Sequence, residues 1–237
     1  MNNLLVAAVA GLIMASAVSA AEPTPGSQTA QSFTGSAGTM NYWLWLPKET
    51  PAEGAPVLVF LHGAGERGDD LAMVKKHGPP KLVDSLAALQ PFIIISPQCP
   101  KEQRWSVGLV KQLVDHVVEK RQGDRTRVYI TGLSMGGFGT WEITVQYPDF
   151  FAAAVPICGR GDPSQAAKIK DLPIRVFHGA KDEAVPLASS QEMVDALKAA
   201  GAEDVEFTVY PDLAHDSWTP TYADPKLYEW LLTKQRK

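Results

Sequence analysis

From about Met40 onward, short apolar runs alternate with stretches of helical spacing. Residues 40–46 alternate apolar and polar positions as a half-buried strand does. Residues 57–61, 92–96, 128–131, 152–157, 174–177 and 205–210 read as further strands. The middle runs are apolar at successive positions, as in strands covered by helices on both faces. Between them, Leu109, Val110, Leu113, Val114, Val117 and Val118 make one apolar helical face. Met193, Val194, Leu197 and Ala200 make another, with Gly201 as a natural stop. Asp224 and Pro225 read as the N-cap and first-turn proline of a last helix whose Leu227, Trp230 and Leu231 face inward. Strands alternating with helices predict an α/β fold with a mostly parallel sheet and right-handed crossovers. No repeat is visible, and a second domain has no room.

The N-terminus departs from this pattern. Residues 4–20 carry no charge, are rich in Ala, Val, Leu and Ile, and end in Val18-Ser19-Ala20 before a polar Pro/Gly/Ser stretch. This pattern predicts a signal peptide over residues 1–20, although Asn2 and Asn3 leave only the α-amino group as its positive end. The run is short for a span of ~20 residues. The expectation is export to the periplasm or the medium, with no stable membrane span after cleavage. A linker or N-terminal extension over 21–36, giving way to structure, and one α/β domain over 37–237 follow. Export permits a disulfide between Cys99 and Cys158, the two cysteines of the chain. Both follow predicted strands, but two further strands separate theirs at about 4.8 Å each, and a bridge needs Cα atoms within about 7 Å. Two half-buried thiols are the alternative. The formal net charge of −4 provides no basic patch, which argues against a nucleic-acid partner.

The strongest chemical signal is Val128-Tyr129-Ile130-Thr131-Gly132-Leu133-Ser134-Met135-Gly136-Gly137, a strand running through G-x-S-x-G into a helical pattern. This is the context of a nucleophile elbow. The turn is so sharp that side chains at Gly132 or Gly136 would meet neighbouring backbone. Ser134 is thereby exposed at the end of the sheet, and the free N–H groups of the following helix favour developing negative charge. A serine hydroxyl needs a base and an orienting acid. Of the five histidines, His116 falls within an amphipathic helix. His62 and His178 each follow a strand and precede Gly, as turn formers do, and His77 sits in a loop with no role assigned. His215 lies between the last strand and the last helix, where a base is expected. Asp182, in the loop after the preceding strand, is the acid, with Glu183 its nearest competitor. Ser134, Asp182 and His215 keep the chain order Ser, Asp, His. An oxyanion hole is assigned to the N–H groups of Ala64, in Leu61-His62-Gly63-Ala64-Gly65-Glu66-Arg67-Gly68, and of Met135.

These motifs, with Ala214-His215-Asp216-Ser217-Trp218, resemble the α/β-hydrolase superfamily. More narrowly, they resemble exported bacterial esterases related to phospholipase/carboxylesterases and polyhydroxybutyrate depolymerases, some of them labelled predicted peptidases. The resemblance covers nearly all of the chain after about Met40. Ala214 stands where such relatives often carry Gly. Dienelactone hydrolases, which use a cysteine nucleophile, are less close. The resemblance implies ester hydrolysis through an acyl-serine intermediate, without metal or cofactor, and a catalytic domain over 37–237. Its kcat/KM should rise as the base gives up its proton. No H-E-x-x-H or C-x-x-C is present to suggest a metal site.

Residues 159–172 are too short to hold a lid domain. An open site suits short acyl groups or bulky partners such as esterified polysaccharide, with acetyl and feruloyl esters as examples. Trp105 and Trp218, in loops near the expected rim, are candidates for substrate contact or for packing. Glu66 and Arg67 either hold their loop through an ion pair or meet substrate. Competing readings are a serine peptidase and a catalytically silent binding protein of the same fold.

Overall fold

The computed structural model describes residues 22–236. The expected signal peptide lies outside these residues. One sheet contains β1 (Gln28–Gly35), β2 (Gly38–Trp45), β3 (Ala55–Leu61), β4 (Ile93–Pro97), β5 (Gly123–Leu133), β6 (Ala153–Ile157), β7 (Ile174–Gly179) and β8 (Val205–Tyr210). Their order is β1-β2-β4-β3-β5-β6-β7-β8. β2 pairs antiparallel with both β1 and β4, and every later pairing is parallel. The helices are α1 (Pro79–Leu82), α2 (Val107–Lys120), α3 (Met135–Gln146), α4 (Ala188–Ala199), α5 (Trp218–Ala223) and α6 (Pro225–Leu232). The crossovers β4–β5, β5–β6 and β7–β8 run through α2, α3 and α4. This is the α/β-hydrolase arrangement.

The expected strands and main helices form, and β1, α1 and α5 add to them. The linker or N-terminal extension over 21–36 contains β1, which extends the sheet by a hairpin. Gln28-Thr29-Ala30-Gln31-Ser32-Phe33-Thr34-Gly35 has one large apolar side chain, so no hydrophobic alternation marks it. As an edge strand it stays partly exposed along its length and is held by its register with β2.

Alternation along the central strands divides the core into two layers. Val57, Val59 and Leu61 face one layer with Ile93, Ile95, Val128 and Ile130, covered by α2 and α4. Leu58, Phe60, Ile94 and Tyr129 face the other, covered by Tyr222, Leu227, Tyr228 and Leu231. Full burial of one such side chain contributes about 1.5–3 kcal/mol. Asp224 caps α6, its Oδ1 accepting from Lys226 N–H at 3.0 Å. Between β6 and β7 lies only a short connection with a 3-10 helix, Pro163–Ile169, so nothing there arches over the sheet end. Among the described residues, no helix is long and apolar enough to cross a membrane.

Candidate active site

β5 ends at Leu133 and α3 begins at Met135, so Ser134 alone makes the turn. Its φ of 53° and ψ of −117° are rarely adopted by L-residues and cost about 1–3 kcal/mol. Ser134 N–H donates to Ile157 O at 3.0 Å, and Ser134 O accepts from Phe138 N–H at 3.0 Å. A Cβ on Gly132 would run into the Gly136 carbonyl, and one on Gly136 into the Leu61 carbonyl of β3. The two glycines therefore let helix and strand backbones meet directly beneath the serine.

His215, in the loop after β8, lies with Nε2 2.9 Å from Ser134 Oγ and Nδ1 2.7 Å from Asp182 Oδ2. With Nδ1–H donating to the carboxylate, Nε2 has a lone pair free to accept the serine proton. Asp182 sits in the turn after β7, its side chain fully buried. Its Oδ1 accepts from the N–H groups of Ala184 and Val185, both at 2.9 Å. Burial opposes its charge. The His215 hydrogen bond, the two N–H groups and the His215 charge outweigh burial and hold the carboxyl below its usual range. Glu183 is exposed. Asp216 instead accepts from the Thr219 N–H and hydroxyl.

The N–H of Met135 opens α3, and that of Ala64 opens a 3-10 helix, Ala64–Glu66. Donors at these positions have no intrahelical partner. Both residues line a cleft of about 320 Å³ together with Trp105, Ser134, Phe138 and His215. A second hollow of about 300 Å³ shares Arg104, Phe138 and Glu142 with it. Trp105 is buried, and its Nε1–H donates to His62 O at 3.3 Å. Trp218 is not among the cleft-lining residues. Its ring stands perpendicular to His215 at 5.1 Å and meets His77 at 5.6 Å.

His62 and His178, expected as turn formers, are instead buried rings bonded to distant groups. His62 is buried. Its Nδ1–H donates to Gly63 O at 2.6 Å, and its Nε2 accepts from Cys99 N–H at 3.0 Å, so the ring ties the Ala64 loop to the end of β4. Burial, more than any other influence, pushes its pKa down to about 4. His178 is fully buried beside Asp182. His62 directly follows β3 and His178 is the next-to-last residue of β7, so both lie at the rim that carries Ser134. Arg67 does not pair with Glu66. It donates to Ala64 O at 3.0 Å and Gln103 O at 3.2 Å. The buried Glu66 carboxylate lies 3.7 Å from His77 Nε2.

Cys99 and Cys158 are both buried and unbridged. β3 and β5 stand between the strands they follow. The Cys158 thiol shares a 4.8 Å neighbourhood with the ligand atoms of Asp182 and His215. Burial, chiefly, pushes that thiol up to about 12, and Asp182 and His215 are already bonded to each other. The set therefore suits a proton relay over a protonated thiol better than a cation, which needs deprotonated ligands.

Comparison with known proteins agrees with this fold. Residues 95–226, more than half of the chain, match the phospholipase/carboxylesterase family. The chain is similar to a solved thermostable esterase, with 34% identity and a TM-score of 0.78, covering 88% of this chain and 63% of that one. It is 48% identical over 50 residues to poly(3-hydroxyalkanoate) depolymerase C of Paucimonas lemoignei, a match covering 21% of this chain and 12% of that protein. It is 36% identical over 115 residues to a putative carboxymethylenebutenolidase of Escherichia coli (strain K12), covering 43% and 42%. The chain thus spans less than half the length of these two curated relatives. It belongs to the phospholipase/carboxylesterase family, hydrolases of the α/β-hydrolase fold.

Proposed function

We propose that this chain is a serine carboxylic-ester hydrolase in which Ser134 is the nucleophile, His215 the general base and Asp182 its orienting acid. The observation that carries the reading is the continuous relay from Ser134 Oγ through His215 to Asp182, with links of 2.9 and 2.7 Å. Neutral His215 takes the serine proton as Oγ attacks the ester carbonyl. The N–H groups of Ala64 and Met135 stabilise the oxyanion. The His215 imidazolium, held by Asp182, then protonates the leaving alcohol, and water repeats the sequence on the acyl-serine.

The substrates proposed are short-chain esters or esters linked to carbohydrate, acetyl and feruloyl among them. The open cleft of about 320 Å³ and the hollow beside it support that reading, since a bulky alcohol can extend outside the acyl site. Trp105 lines the cleft and would contact substrate; Trp218 would act from behind His215. The N-terminal pattern supports export to the periplasm or medium.

The test is nitrophenol release from acetate, butyrate and octanoate esters by the purified protein beside Ser134→Ala. Turnover of the short esters should vanish in the variant. Equal turnover by both proteins would mean that another residue is the nucleophile. A folded wild type that turns over none of the esters would end the esterase reading for simple substrates.

A further inference from the structure

Asp182 has a second histidine beside it. His178 is the next-to-last residue of β7 and is completely buried, its Nε2 2.9 Å from Val185 O and 3.2 Å from Asp182 Oδ2. Both neighbours of Nε2 are acceptors, so this nitrogen carries the proton. Its Nδ1 lies 2.7 Å from Ser190 Oγ on α4. In the neutral ring, Nδ1 then has a lone pair and the serine hydroxyl donates to it, leaving Gly159 O, at a longer 3.2 Å, as that hydroxyl's weaker alternative. The contacts thus select one tautomer.

That tautomer closes a ring of bonds around the acid. Val185 N–H donates to Asp182 Oδ1 at 2.9 Å, while Val185 C=O receives the His178 proton. The peptide groups on either side of Val185 are therefore held at both ends. The partial positive charge of Nε2–H also lies next to the carboxylate oxygen that receives His215. We propose that His178 is a positioning residue, which locks the turn at residues 182–185 so that Asp182 presents Oδ2 to His215 in one orientation. The proposal rests on the reading of Ser134, His215 and Asp182 as a triad. The titratable groups facing Asp182 are His215 from the loop after β8, Cys158 from the loop after β6, and His178 from β7.

The test pairs His178→Asn with His178→Gln. Asn is too short to reach Val185 O, whereas the Gln amide nitrogen falls near the place of Nε2 and can donate there. With short nitrophenyl esters, His178→Asn should lose about 10-fold or more in kcat with KM little changed, a size typical of supporting shells. His178→Gln should recover most of that loss. Wild-type kcat in a folded His178→Asn, or equal losses in both variants at equal stability, would reduce His178 to core filling. A measurement on the unmodified protein covers the case in which Asn prevents folding. Nitrogen NMR of ¹⁵N-histidine-labelled protein should show His178 protonated at Nε2, and an Nδ1–H tautomer would overturn the proposal. Ser134→Ala separates the two layers of argument. Turnover lost in Ser134→Ala but unchanged in His178→Asn removes only the His178 role, whereas turnover that persists in Ser134→Ala removes the triad reading beneath it.

Discussion

Acid should loosen this protein through His62. The ring is 1% exposed and committed to two backbone groups, Gly63 O and Cys99 N–H, and its pKa is down at about 4. An unfolded histidine titrates near ~6.5, so between those values the unfolded chain binds a proton that the folded chain refuses. The contribution of this site is complete above about pH 6.5 and is lost as the pH falls toward about 4. At about pH 4.5 the loss works out at about 2.5 kcal/mol, from about 1.4 kcal/mol per pH unit over slightly less than two units. Urea unfolding followed by tryptophan fluorescence, at about pH 7.5 and about pH 4.5, measures it. His62→Asn provides the reference, because the carboxylates held low, Asp182 and Asp124, titrate in both proteins and cancel in the difference. Wild type should lose about 2.5 kcal/mol more than the variant between the two conditions. Equal losses would refute the claim that a neutral, desolvated ring pins the Ala64 loop.

Three substitutions test the rest of the site. Ala64→Pro removes one proposed oxyanion donor with little change in backbone, since Gly63 before it is extended at φ −79°, ψ −178° and proline suits the first position of a helical turn. In steady-state assays kcat should fall about 10²–10³-fold with KM nearly constant, and an unchanged kcat would remove Ala64 from that role. Asp182→Asn keeps the shape of the acid but not its charge. By analogy with serine proteases kcat should fall about 10⁴-fold, and activity within a few-fold of wild type would show that His215 does not depend on Asp182. Gly136→Ala places a methyl in the Leu61 carbonyl, so the elbow cannot close and stability should fall by about 3 kcal/mol or more. A thermal midpoint equal to that of wild type would contradict the close approach of α3 to β3.

The elements that were legible in the sequence are those with a strong period or a rigid steric demand. β3, β4 and β6 are buried throughout, and their continuous apolar runs marked them. The Gly132-Leu133-Ser134-Met135-Gly136 turn was legible because only glycine fits two of its places. β1 was not, because its stability comes from pairing with β2 rather than from its own side chains. The meeting of Ser134, Asp182 and His215 could be expected from chain order and strand ends. The roles of His62 and His178 could not, because a histidine before a glycine gives no sign of whether its ring turns outward or folds back onto backbone. What decides is the far partner: Cys99 N–H for one, Ser190 Oγ and Val185 O for the other.

These partners bear on how the strain at Ser134 is held. Its backbone N–H is fixed by Ile157 O at the end of β6, and the next residue, Cys158, also has positive φ, at 40°. Cys158 N–H in turn donates to Phe177 O on β7 at 2.8 Å, immediately before His178. Gly137 and Gly159 let the start of α3 rest on the backbone after β6, where a Cβ on either would come within 2.6 Å of main-chain atoms of Ile157 or Gly137. The Ser134 backbone is therefore linked strand to strand, from β5 through β6 to β7, through main-chain contacts that end at Phe177, just before His178. His215 arrives from β8 to a serine held through its backbone and to a carboxylate held by the N–H groups of Ala184 and Val185. That is the condition under which a hydrogen-bonded relay can lower a barrier without spending energy on its own reorganisation.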